Sequence, residues 1–198
     1  MHGLINRAIQ CFVRDTYGGA IWSAVAREAG LRFDSFEPML TYDPSLTDAV
    51  IDAASTLLRR PRDTVLEDLG IYLVSHPNLQ ALRRLLRFGG VTYEDFLHSL
   101  DDMPDRARLA VPDIDLPNLA LTDHSGTEFS LSCRSEIAGA GHVIVGMLRA
   151  MADDYGVLGL VDHQGTDEQG DEVIAITLAQ TGFSEGRRFD LAVQGGGL

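Results

Sequence analysis

The chain has 198 residues, and 45% of them are hydrophobic, which is ordinary for a globular fold and too apolar for a disordered chain. The net charge is −13, from 29 acidic residues and 16 arginines, which argues against nucleic acids and anionic membrane surfaces as partners. No stretch approaches the ~20 apolar residues that span a bilayer. The separated cysteines Cys11 and Cys133 favour free thiols in a reducing compartment. The sequence therefore predicts a cytoplasmic protein.

The first hundred residues have the periodicity of helices. In six successive segments, apolar residues recur at steps of three and four, as they do on a helix that buries one face. Asp43-Pro44 and Pro61 are typical of helix starts, and glycines or prolines separate the other segments. We therefore expect six helices packed on one another, at about residues 5–13, 21–29, 46–58, 65–73, 79–88 and 93–103.

After Pro112 the pattern changes to that of strands. Residues 118–122 and 128–133 alternate apolar and polar side chains around turn residues 123–126, which predicts a hairpin. Residues 138–155 form an amphipathic helix, and a second hairpin is expected from 157–161 and 172–178 around turn residues 162–165. The sequence thus predicts an α+β fold, a helical half followed by ββαββ. It contains no nucleotide-binding, metalloprotease or hydrolase motif, and we expect no enzymatic activity.

Several short sequences form a set: MHGLIN at residues 1–6, DTYG at 15–18, Phe88-Gly-Gly, Phe96-Leu97 followed by Leu100-Asp101, and Pro117. Together with the ββαββ half they resemble the haem–nitric oxide/oxygen-binding (H-NOX) family of gas sensors over residues 1–183. The resemblance implies one sensor domain, with a helical part at 1–110, a four-stranded antiparallel sheet within 111–183, and haem between them. Residues 184–198 are then a terminal strand or a linker. It also implies a role in signal transduction, through a partner such as a histidine kinase or a cyclic-di-nucleotide enzyme.

Two places depart from the pattern of this family. The histidine that ligates haem iron lies a few residues past Leu100 in the family, and ungapped spacing places Pro104 there. Proline offers iron no lone pair, and inside a helix it produces a kink that costs ~3 kcal/mol or more. The family's Tyr-x-Ser-x-Arg clamp for the haem carboxylates is replaced by Cys133-Arg-Ser-Glu-Ile, in which only Ser135 matches and Ile137 stands at the arginine position. These departures predict a haem site that is dismantled or rebuilt.

Three residues are candidates for a substituted iron ligand. His142 matches the distal tyrosine of oxygen-binding members, and histidine is a common axial ligand of haem, although a hydrogen-bonded histidine of the core or pocket is the more common role. Met103 and Cys133 are alternatives, because thioether and thiolate sulfur also ligate haem iron, although core packing is the more common role of both residues. His124 and His163 lie in two similar predicted turns, for which turn chemistry and a surface metal site are the competing explanations.

We expect a pocket between the first, sixth and seventh predicted helices. Its predicted lining is Ile5, Leu97, Leu100, Pro104, Pro117, His142 and Val145, with Cys133 and Ser135 at the former clamp. The function expected from these residues is that of a non-enzymatic sensor module whose pocket is closed by side chains or holds a small apolar ligand. Two alternatives remain: a haem-based nitric oxide sensor with His142 as iron ligand, and an interaction protein that binds no ligand.

Overall fold

We describe residues 1–179 from a computed structural model of the chain. In this part of the chain seven α-helices precede the first strand, and an eighth joins two hairpins. The helices are α1 (Gly3–Tyr17), α2 (Gly19–Glu28), α3 (Pro44–Leu58), α4 (Arg62–Ser75), α5 (Gln80–Arg87), α6 (Tyr93–His98), α7 (Met103–Ala110) and α8 (Ala140–Tyr155). The strands are β1 (Asn118–Asp123), β2 (Glu128–Arg134), β3 (Gly159–Thr166) and β4 (Glu172–Leu178).

Local hydrogen bonds mark where the helices begin. The ring of His2 accepts from the N–H of Leu4 at the start of α1, and the carboxylate of Asp43 accepts from Ser45 at the start of α3. At α6, Thr92 and Asp95 form a reciprocal capping box. Each cap satisfies backbone donors that the first helical turn leaves without partners. These short sequences therefore fix the starts of α1, α3 and α6.

The four strands form one antiparallel sheet, as predicted, and their order in the sheet is β1-β2-β4-β3. Alternate residues of the central strands are buried, among them Leu131 on β2 and its register partner Ile174 on β4. Helix α8 packs on this face through Val145, Leu148 and Met151, which expose none of their surface. We call this apolar cluster, shared by the sheet, α6 and α8, the sheet core. A second cluster, the helical core, lies among α1 to α4.

Helices α4 and α8 approach each other backbone to backbone. A methyl group added at Gly146 of α8 would overlap the carbonyl oxygen of Glu67, and one added at Gly70 of α4 would overlap the carbonyl oxygen of Val143. Two glycines, one on each helix, thus remove the side chains that would hold the helices apart. The contact connects the helical half of the chain directly to the helix that covers the sheet.

Two predictions made from the sequence are wrong. The predicted sixth helix, 93–103, ends at His98, and Pro104 lies in the first turn of a separate helix, α7, where a missing N–H costs nothing. The kink predicted at Pro104 is therefore absent from the described chain. The predicted turn at 162–165 is part of β3, and the reversal occurs at 167–171, where Asp167 and Asp171 bond across the turn. The predicted tail, 184–198, lies outside the described residues. Within residues 1–179, no helix is long and apolar enough to cross a membrane.

Candidate functional site

The predicted pocket residues divide between the two cores. Leu97, Leu100, Val145 and Cys133 meet in the sheet core, and the three aliphatic side chains expose none of their surface. Ile5 packs instead against the helical core. A side chain that lines a cavity large enough for water keeps some accessible surface. The zero exposure of Leu97, Leu100 and Val145 therefore means that neighbouring side chains fill the space beside them.

Pro104 and Met103 lie at the start of α7, next to this closed core. Pro104 is buried, and Met103 is half-buried against the sheet core. The N–H of Met103 donates to the carbonyl of Leu100 at 3.0 Å, which closes the tight connection between α6 and α7. The position at which the resemblance implies an iron-ligating histidine thus holds a side chain that serves to start a helix.

The predicted carboxylate clamp lies at the end of β2 and has other partners. Arg134 donates two hydrogen bonds of 2.7 Å to Asp171, and these hold the pKa of that carboxyl below its ordinary value. Ser135 is exposed, and its hydroxyl accepts from the N–H of Ile137 at 3.1 Å. A cavity of about 270 Å³ lies here, below the roughly 300–1,000 Å³ of typical ligand pockets. Its lining is Met1, Asp115, Leu116, Asn118, Arg134, Ser135, Glu136 and Ile137.

Two of the predicted pocket residues lie on or next to the first hairpin. Cys133 is buried between β1 and β4, and burial, together with the nearby charge of Glu172, raises the pKa of its thiol to about 12. The thiol is therefore protonated at neutral pH, whereas the sulfur that ligates haem iron is a thiolate. Pro117 is half-buried immediately before β1.

His142 lies at the start of α8, where three elements meet. Its Nδ1 is 3.3 Å from a carboxylate oxygen of Glu67, and its Nε2 is 3.6 Å from one of Asp63, both on α4. Its ring stacks on the ring of His163 from β3, with centroids 4.1 Å apart and planes inclined by 18°. Nε2 of His163 is in turn 2.7 Å from a carboxylate oxygen of Glu172 on β4. We call His142, His163 and Glu172 the histidine cluster.

The backbone and one arginine hold this cluster in place. A Cβ atom at residue 141 would stand 2.7 Å from Oε2 of Glu172 and 3.1 Å from its Cβ, so Gly141 allows α8 to begin close to β4 without displacing the Glu172 side chain. Arg149, two turns along α8, donates to Glu67 at 2.6 Å and to the carbonyl of Val161 on β3 at 2.7 Å. The charged face of α8 therefore connects α4 to the edge of the sheet.

The pattern of the sequence did not reveal this cluster. The sequence predicts His142 as a candidate iron ligand, His163 as a residue of a turn, and Glu172 only as a strand residue. The predicted hairpin offers a partial signal, because in an antiparallel pair the last residues of the first strand lie beside the first residues of the second strand. The true turn at 167–171 brings His163 and Glu172 together, and the incorrectly placed turn at 162–165 concealed that pairing.

Solved structures with the same fold are similar to this chain at low sequence identity. An Fe(II) unliganded H-NOX protein from K. algicida superposes with a TM-score of 0.79 at 17% identity, over 93% of this chain and all of that one. An H-NOX protein from S. oneidensis in the Fe(II)NO ligation state gives 0.75 at 15% identity, over 91% of this chain and all of that one. The fold is that of an H-NOX domain.

Sequence comparison gives the family. The haem-NO-binding family matches residues 2–157, and the chain belongs to that family. Similar curated proteins are the soluble guanylate cyclase gcy-31 of Caenorhabditis elegans, 25% identical over 154 residues, and the soluble guanylate cyclase 89Da of Drosophila melanogaster, 23% identical over 155. Each match covers 78% of this chain but only 22% and 23% of those relatives. The chain thus spans less than a quarter of their length.

The residues at the family's haem position do not fit haem. Haem needs an axial ligand, a cavity for its ring and anchors for its two carboxylates, and the described residues at the positions that the resemblance assigns to these roles do not match them. Pro104 offers no lone pair, the side chains of Leu97 and Leu100 are packed without space, and Arg134 is already paired with Asp171. The fold of the family is retained here, and the residues at these positions depart from the haem-binding pattern that the resemblance implies.

Proposed function

We propose that this chain is a non-enzymatic regulatory module of signal transduction that uses the H-NOX fold without haem. The observation that carries the proposal is the closed sheet core: Leu97, Leu100 and Val145 are fully buried where the resemblance implies a pocket. This packing favours a pocket closed by side chains over one that holds a small apolar ligand. An empty cavity at this place would forfeit dispersion contacts, and the packed side chains make those contacts themselves.

The partner in this proposal is a separate signalling enzyme. The curated relatives are guanylate cyclases in which the matched segment occupies less than a quarter of the protein, and this supports the role of a module that regulates a signalling enzyme. A histidine kinase or a cyclic-di-nucleotide enzyme is the class of partner that the family implies. The acidic surface expected from a net charge of −13 favours a partner with a basic docking face.

Helix α8 is the element through which the two halves communicate in this proposal. On one side it meets α4 through Gly146, and on the other it packs on the sheet through Leu148 and Met151. A rotation of the helical half against the sheet has to move or deform α8, because both contacts are close-packed. A ligand or partner that prefers one arrangement shifts the population towards it.

Titration with ferrous haem, followed by absorption spectroscopy with and without nitric oxide, tests the proposal. The expected result is no saturable Soret band, while the H-NOX protein from K. algicida, treated identically, serves as the haem-binding control. A band that saturates at one equivalent overturns the haem-free proposal. If that band also disappears in His142→Ala, haem is held by the substituted ligand and the chain is a haem-based sensor.

A further inference from the structure

The histidine cluster brings together three groups that ligate metals, from three elements of the fold. One ligand atom each from His142, His163 and Glu172 lies within 4.8 Å of the others. The three side chains expose 14%, 16% and 15% of their surface, so they are enclosed and still reachable by a small ion. We propose that His142, His163 and Glu172 form a binding site for a divalent transition-metal ion of the zinc class. This proposal goes beyond the haem-free regulatory role and does not depend on it.

The donor set determines the class of ion. Two imidazole nitrogens and one carboxylate oxygen suit Zn²⁺ and its neighbours Co²⁺ and Ni²⁺, and they are poorer ligands for Ca²⁺ or Mg²⁺, which prefer all-oxygen sites. Tetrahedral Zn²⁺ with bonds of about 2.0–2.2 Å needs ligand atoms about 3.4 Å apart. The 2.7 Å contact between Nε2 of His163 and Glu172 must therefore widen to about 3.4 Å, and one ring must turn out of the stack so that its lone pair faces the ion.

The surroundings of His142 match those of a histidine that binds metal. Ligating histidines commonly donate their other ring N–H to a carboxylate, and Nδ1 of His142 lies 3.3 Å from Glu67. Nε2 then faces the ion, and Asp63, 3.6 Å from that nitrogen, is placed to provide a fourth ligand directly or through water. Three carboxylates around two imidazoles give the site the negative potential that attracts a cation.

His163 offers a signature that separates metal binding from simple packing. Its Nδ1 accepts from the N–H of Gly165 at 3.1 Å, and its Nε2 bonds to Glu172, an arrangement that the tautomer with hydrogen on Nε2 satisfies. When Nε2 binds an ion, the neutral ring carries its hydrogen on Nδ1, which cannot accept from Gly165. Metal binding must therefore break the Gly165 hydrogen bond, within the bulge between His163 and Thr166.

Calorimetric titration of the full chain with Zn²⁺, after treatment with a chelator, tests the site. We expect one equivalent to bind, and we expect His142→Asn and Glu172→Gln to weaken binding by at least about 100-fold, because losing a ligand costs more than the 10–100-fold typical of outer-shell changes. Glu67→Gln should fall within that smaller range. The matched control is His124→Asn, an exposed histidine bonded to Ser130 on the first hairpin, which should bind Zn²⁺ unchanged.

Two spectra of the unsubstituted chain keep the proposal testable if a variant fails to fold. Co²⁺ should give the visible absorption of a tetrahedral complex, and Zn²⁺ should shift the backbone amide resonance of Gly165 with the same stoichiometry. The proposal is overturned if no saturable binding occurs, if His124→Asn weakens binding as much as His142→Asn, or if Gly165 does not respond. Because haem titration has a different readout, either proposal can fail while the other stands.

Discussion

The two sides of helix α8 differ in what surrounds them. Towards the sheet, Val145, Leu148 and Met151 are packed in a fully apolar environment with no exposed surface. Towards α4 and the edge of β3, His142 and Arg149 meet carboxylates, a second imidazole and a backbone carbonyl. The first side holds the fold together. The second side contains imidazoles and carboxylates, and the proposed metal site lies there.

This difference explains how a member of a haem-binding family keeps its architecture without the fit for haem. Side chains of the sheet core contact one another at the place where the resemblance implies a cofactor, and each buried aliphatic side chain contributes about 1.5–3 kcal/mol. The cavity of about 270 Å³ at the end of β2 lies at the rim of this region, lined partly by charged residues. Under the haem-free proposal, the packing of these side chains supplies the stability that a bound cofactor would otherwise add.

The largest expected effect comes from opening the apolar side of α8. Leu148→Ala removes a fully buried side chain and should lower the free energy of unfolding by about 2–5 kcal/mol, because the site cannot collapse to fill the space. Thermal unfolding followed by circular dichroism measures the change. Leu109→Ala on α7 is the matched control, since Leu109 is 88% exposed and should change stability little. Equal losses for the two variants would contradict a closed sheet core.

The next largest effect tests the contact between α4 and α8. In Gly146→Ala the new methyl group overlaps the backbone of Glu67, and we expect a loss of about 1–3 kcal/mol because a helix must shift. Gly19→Ala, in the first turn of α2 with open space around it, is the control and should keep or slightly raise stability. Chemical denaturation measures both. If Gly146→Ala were as stable as Gly19→Ala, α4 and α8 would not be close-packed.

A smaller effect is expected at Pro104, and its sign distinguishes two structures. With Pro104 in the first turn of α7, Pro104→Ala loses a few ring contacts and should lower stability by about 1 kcal/mol or less. Inside a continuous helix the same change would relieve a kink and raise stability by about 3 kcal/mol. Denaturant unfolding determines the sign, and a clear gain would contradict the break between α6 and α7.

The sequence predicts most of the elements because their signals are local. The β4 prediction, 172–178, matches the structure, and the helix starts follow from caps such as Asp43. The break between α6 and α7 was missed because Leu97, Leu100 and Pro104 keep a helical spacing across the short turn that separates the helices. Periodicity alone does not distinguish a proline that starts a helix from one that interrupts it.

The histidine cluster lies beyond local reasoning for a different reason. Its members are separated by 9 to 30 positions, and Glu67 and Asp63 come from the other half of the chain. Only the packing of α8 on both α4 and the sheet brings them together. The turn-like composition of residues 162–165 also misled the strand assignment, because Gly165, with φ of +93°, fits a bulge as well as a turn.

The smallest effect at neutral pH is expected for the ion pair of Arg134 and Asp171, beside the cavity at the end of β2. The hydrogen bonds from Arg134 keep the pKa of Asp171 below the value of about 3.9 expected in an unfolded chain. A carboxyl with a lowered folded-state pKa stabilises the fold above its unfolded pKa, and this contribution disappears as the pH falls through the folded-state value. Arg134→Ala should therefore lower stability at pH 7, only slightly because the arginine is largely exposed, and this loss of stability should move acid unfolding to higher pH.

Circular dichroism during an acid titration measures the pH at which half of the protein is unfolded, the midpoint of acid unfolding. Arg108→Ala is the control, because Arg108 pairs with Asp105 on an exposed face of α7, where an ion pair contributes little. If both variants moved the midpoint equally, the effect would come from net charge and not from the paired carboxylate. A shift confined to Arg134→Ala would show that this arginine, next to the position where the family holds haem carboxylates, serves in this chain to anchor β2 to the residue that precedes β4.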